Sequence, residues 1–144
     1  MRQWLKANRV RIITIVMMLM LGGLVYLLFR PRTLLLFHVA DAMGLSPFIT
    51  QLRSGVEGIV LPNWVVNCLP DALWAGAYVL LVDCVMRGRP VKLRLLLAAV
   101  IPVLGVVSEA LQACGWLSGT FDWLDIVAYM APYVLYLVVV LKKG

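Results

Sequence analysis

"IITIVMMLMLGGLVYLLF", residues 12–29, runs for 18 residues without a charged side chain. At about 1.5 Å of rise per residue, such a helix is about 27 Å long, close to the ~30 Å hydrocarbon core of a bilayer. The chain around it has the same character. Of its 144 residues, 63% are hydrophobic and 14% charged, with a mean hydropathy of +0.96. A soluble domain carries roughly 25% charged residues. The formal charge of +6 does not signal nucleic acid, because Lys and Arg cluster at the ends of apolar runs, as in membrane proteins.

Working outward, three more runs approach bilayer length: Asp71–Met86, Leu93–Cys114 and Trp123–Leu141. With Ile12–Phe29 they make an all-α integral membrane protein with four transmembrane helices in a single domain over 1–144. Basic residues precede the first run, and no small-x-small site follows before "FRPR" (29–32), so the run reads as an uncleaved signal anchor. Of the 13 Lys and Arg, ten fall on one side: Arg2, Lys6, Arg9, Arg11, Arg87, Arg89, Lys92, Arg94, Lys142 and Lys143. Three, Arg30, Arg32 and Arg53, fall on the other. The positive-inside rule then puts both termini in the cytoplasm of a bacterial inner membrane.

The loop 30–70 is long and itself apolar. "TLLLFHVADAMGLSPFITQLRS" (33–54) is broken at Gly44 and Pro47 and reads as one or two interfacial helices lying over the outer face as a lid. "VLPNWVVNCLPD" (60–71), with two prolines and two asparagines, reads as a turn into the second span, with Trp64 at headgroup level. Pro102 and Pro132 are expected to kink the third and fourth spans. Ala75, Gly76 and Ala77 permit close helix approach.

Polar residues gather at the outward ends. Glu109 lies roughly 7 Å inside the end of span three. Gln112 shares its face, and Ser108 borders it. Asp125 sits in the first turn of span four and Asp71 in that of span two, with Trp74 a turn further on. A carboxylate in the membrane must face a partner or a wet cavity, so Glu109 is expected to point inward, between spans two and four. Asp122 is placed to cap span four, and Asp71 and Asp125 sit where a helix dipole favours negative charge. Glu109, near a helix C-terminus, has no such reason, and a ligand-binding set of Glu109, Gln112, Asp125, Asp71, Asp122 and Trp74 is expected.

Other polar groups have simpler readings. Asp83 and Arg87, four apart, suit an ion pair along one helix face. His38 reads as a half-buried interfacial side chain. Cys68, Cys84 and Cys114 have no metal-ligand spacing and read as packing residues. Phosphate-cradling, nucleophile-elbow and metalloprotease patterns are absent, so neither a metal nor a cofactor is expected, and no catalytic residue is assigned.

"SEALQ" (108–112), a short loop, and "GTFDWLDIVAY" (119–129) resemble the signature of VanZ-like membrane proteins. That pattern pairs Glu-x-x-Gln at one helix end with a Gly-led loop and an Asp starting the next, here Glu109, Gln112, Gly119 and Asp125. "NCLPDALWAGAY" (67–78) resembles an earlier block of the family, through Asp71, Trp74 and Tyr78. The resemblance covers roughly Leu61–Leu141. The chain departs at Thr120, where members often carry Arg, and at Tyr129, where many carry Asn. A His common in the earlier block also has no counterpart. The resemblance implies a link to resistance against teicoplanin, a lipid-tailed glycopeptide.

Three functions follow. The first is a cell-envelope protein binding a lipid-linked or glycopeptide-type ligand at an outward acidic pocket, with the lipid bilayer as its surroundings. The second is an accessory subunit, or oligomer, whose carboxylates lock helices together. The third is an enzyme on a lipid-linked substrate, using paired carboxylates as acid and base or to hold a divalent cation.

Overall fold

The computed structural model describes residues 2–33 and 35–142, so Lys143, counted above, lies outside the described residues. Seven helices and no strand are present among the described residues: α1 (Arg2–Phe29), α2 (Leu35–Ala42), α3 (Ser46–Ser54), α4 (Asn63–Val85), α5 (Val91–Ala98), α6 (Val100–Ala113) and α7 (Trp123–Leu141). The all-α reading with four membrane-length helices holds. The spans are Lys6–Phe29, Asn63–Val85, Val91–Ala113 and Trp123–Leu141. Much of the large apolar surface faces outward, including Met17, Leu96 and Leu135 at 63%, 67% and 68% exposure. Hydrocarbon, unlike water, tolerates such a surface.

α1 packs on α4, α4 on α7, and α7 on α6. The centre of this row is α4, where Ala75 and Ala77 are 1% exposed and Gly76 is buried. A Cβ on Gly76 would meet Met18 of α1 on one side and Pro132 of α7 on the other. Small residues therefore let two helices reach the α4 backbone, the packing mode that works where lipid tails are as apolar as Leu.

The prolines act differently from one another. Pro102 cannot donate to the Ala98 carbonyl, and the third span breaks at Ala99 into α5 and α6. That puts Pro102 in the first turn of α6, where a missing N–H costs little. α7 continues through Pro132. The second span starts at Asn63, earlier than Asp71, and runs through Pro70, so the segment read as a turn is helical from Asn63 on. Arg30 Nη2 donates to the Asn67 carbonyl at 2.8 Å, next to the Val66 carbonyl that Pro70 leaves free.

The interfacial helices do not form a lid over the bundle. Phe37, Ala40 and Ile49 pack against Tyr26 and Leu27 of α1, and Arg53 Nη1 donates to the last carbonyls of that helix, Leu27 at 3.2 Å and Arg30 at 2.9 Å. A guanidinium there satisfies orphan carbonyls and the negative end of the dipole together. The pair is closed by Ser46, which donates to Asp41. His38 is exposed on α2, not half-buried, because Phe37 and Ala40 occupy the packed face.

Asp83 does not pair with Arg87. It meets Arg11 of α1 at 3.3 Å and Arg94 of α5 at 3.7 Å, and accepts from Tyr136 Oη of α7 at 2.9 Å. A carboxylate facing the interior gains more from three elements converging on it than from an exposed neighbour on its own helix. The tyrosines Tyr78 and Tyr133 donate to the Leu97 and Leu95 carbonyls at 2.8 and 3.2 Å, tying α4 and α7 to α5.

Candidate functional site

The end of the molecule opposite Asp83 is formed by the C-terminal ends of α1 and α6 and the N-terminal ends of α4 and α7. Exposed tryptophans mark it: Trp64, Trp116 and Trp123, at 58%, 83% and 62%. This is the habit of residues at a membrane–water interface.

Glu109 is 4% exposed and points inward, as its position in span three requires. Its Oε2 accepts from the Asp122 backbone N–H at 3.1 Å and its Oε1 from Gln112 Nε2 at 3.3 Å. Asp122 in turn accepts from the Leu124 N–H at 2.9 Å and is the N-cap of α7. Glu109 is thus a latch between the end of α6 and the start of α7. Gly119 sits in the intervening loop with φ +141°, and a Cβ there would run into Gln112 Oε1. Only glycine takes this backbone and leaves room for the Gln112 amide. Ser108 turns back to the Gly105 carbonyl at 3.0 Å and takes no part.

Asp71 lies one helix over. Arg30 Nη2 approaches its Oδ2 at 3.5 Å, and Asp125, Glu109 and Tyr129 lie within electrostatic reach. Asp125 has a buried Oδ1 with no hydrogen-bond partner among the described residues. The buried Cys68 adjoins it. Tyr129, one turn beyond Asp125, packs its ring flat on Gly105, where a Cβ would clash. Asp71, Asp125 and Glu109 thus gather between α4, α6 and α7, with Arg30 pairing Asp71.

Trp74 is not part of this group. Its indole packs on α1, where a Cβ at Gly22 would approach Nε1 to 2.6 Å, and it stacks at a tilt on Tyr26 with centroids 5.4 Å apart. Neither of the two clefts described in the molecule, about 600 and 450 Å³, is lined by any residue of the expected binding set. Arg30 and Tyr129 are the polar residues that sequence reading missed. Tyr129 was legible as i+4 from Asp125 on one helix face. Arg30 was not, because its partner lies on another helix.

Chemically, the group accepts hydrogen bonds from hydroxyl, amide or ammonium donors. No three His, Cys, Asp or Glu side chains converge as metal ligands among the described residues. The fold and surface define a multi-pass membrane protein with an acidic cluster near one end of its helices. No family model, curated protein or solved structure matches the chain.

Proposed function

We propose that this chain is a VanZ-like protein of the bacterial cytoplasmic membrane, with both termini cytoplasmic and the acidic cluster facing outward. Its function is to bind a hydroxyl- and amide-rich ligand of the cell envelope, lipid-linked or of the glycopeptide type, with a consequence for teicoplanin susceptibility. The observation that carries the reading is the buried, unpartnered Asp125 Oδ1. A buried carboxylate oxygen without a donor is costly, and a ligand donor would satisfy it. Asp71 and Tyr129 flank the position, and Glu109, Gln112 and Asp122 hold α7 so that Asp125 presents there. The VanZ likeness rests in part on the same residues, Glu109, Gln112, Asp125 and Asp71, and departs from the family at Tyr129.

Glu109 favours a second reading. Both of its oxygens are spent within the chain, as expected of an accessory subunit whose carboxylates only fasten helices. Titrating purified protein in micelles with teicoplanin, followed by the fluorescence of Trp116 and Trp123, separates the two. A saturable change lost in Asp125→Asn supports binding at the cluster. No change, or an equal change in the variant, supports the accessory role.

A further inference from the structure

The larger cleft, about 600 Å³, lies at the other end of the molecule and shares no residue with the acidic cluster. It exists because α1 and α7 both pack on α4 without packing extensively on each other. Its floor is Gly76, Val79 and Leu80 of α4. Its α7 wall carries Leu135 and Val139, which are 68% and 49% exposed and so face hydrocarbon. One end is apolar. The other is closed by Arg11, Arg87 and Arg94 around Asp83.

The charge at that end is unbalanced. Three guanidinium groups line that end against one carboxylate, which pairs with Arg11 and Arg94 and already accepts from Tyr136. Arg94 Nε is buried and has no hydrogen-bond partner among the described residues, and Arg11 Nη1 has only the Asp83 carboxylate beside it, at 3.3 Å. Arg87 lines the cleft and makes no ion pair among the described residues. Buried N–H groups of a cation without acceptors are costly, and an anion with several oxygens relieves them.

We infer that this groove is a binding site for an anionic phospholipid. Its phosphate would sit among Arg11, Arg87 and Arg94, and an acyl chain would lie along Leu80, Leu135 and Val139. Basic pockets between transmembrane helices suit such headgroups. An apolar helix from a second copy would fill the groove but offer no acceptor to the arginines. A free phosphate would satisfy the arginines and leave the apolar groove open. A phospholipid does both.

The test is native mass spectrometry of the full-length protein released from micelles doped with phosphatidylglycerol or with phosphatidylcholine of matched chains. The wild type is expected to retain phosphatidylglycerol preferentially. Arg87→Gln leaves the Asp83 ion pairs intact and is expected to lower that retention about fivefold, for the loss of one basic contact. Leu135→Trp, at an exposed lip of the groove, narrows the acyl path at constant charge and should lower retention of both lipids. Equal retention of the two lipids by the wild type overturns the proposal. So does retention untouched by either variant, displacement of phosphatidylglycerol by millimolar inorganic phosphate, or a dimer that the lipid does not dissociate.

Discussion

The Glu109 latch makes a quantitative claim about stability. Its carboxylate accepts two hydrogen bonds, from Asp122 N–H and from Gln112, and is 4% exposed. Glu109→Ala removes both and leaves the Asp122 amide without an acceptor at the very residue that caps α7. Hydrogen bonds to charged groups contribute ~1.5–3 kcal/mol each. Because the freed loop can turn toward water at the helix ends, the expected loss is about 3 kcal/mol, near the value for one such bond. Glu109→Gln keeps an oxygen for the Asp122 amide and loses only the charge assistance, for a loss of about 1 kcal/mol. Unfolding in mixed micelles, monitored by Trp123 fluorescence, reads both. The reasoning fails if Glu109→Ala falls within roughly 0.5 kcal/mol of wild type, the scatter of a neutral surface change. It fails equally if Gln is as damaging as Ala.

Two further outcomes follow from the geometry. Asp83→Asn strands Arg11 and Arg94 without a counter-charge and is expected to destabilise by about 3 kcal/mol or more in the same unfolding assay, while Arg87→Gln stays near wild type. Of the cysteines, Cys114 is exposed and Cys68 and Cys84 are buried. Under the proposed orientation, a membrane-impermeant maleimide added to intact cells labels Cys114 in the folded protein. Labelling only after the cells are opened would reverse the topology.

The membrane helices were legible because bilayer thickness imposes a length on apolar runs: Ile12–Phe29 carries no charge, and Trp123–Leu141 only Asp125 in its first turn. The start of α4 was not. Asn63, Asn67 and Pro70 carry local turn signals, but the helix runs through them, and Arg30, just past the end of α1, donates to the Asn67 carbonyl. The same limit explains Asp83. Sequence spacing shows its neighbour Arg87 and hides Arg11 and Arg94, which only folding brings to it. At the acidic end, the inward aim of Glu109 and the capping role of Asp122 followed from helix position alone. The partners of Asp71, and the turn of Trp74 toward Gly22, depended on which helix lies alongside. The lid reading treated the apolar character of α2 and α3 as a reason to cover the bundle, whereas the end of α1 offers that surface a closer apolar partner.

On the proposed function, Asp125 is the working group and Glu109 the latch that positions it. The most direct test is susceptibility to teicoplanin, with vancomycin as comparator, in a Gram-positive host expressing wild type, Asp125→Asn or Glu109→Gln at matched membrane levels. Wild type is expected to raise tolerance to teicoplanin, Asp125→Asn to lose the effect while remaining folded, and Glu109→Gln to keep part of it. Full protection by Asp125→Asn, or no protection by the wild type, would contradict the proposed function.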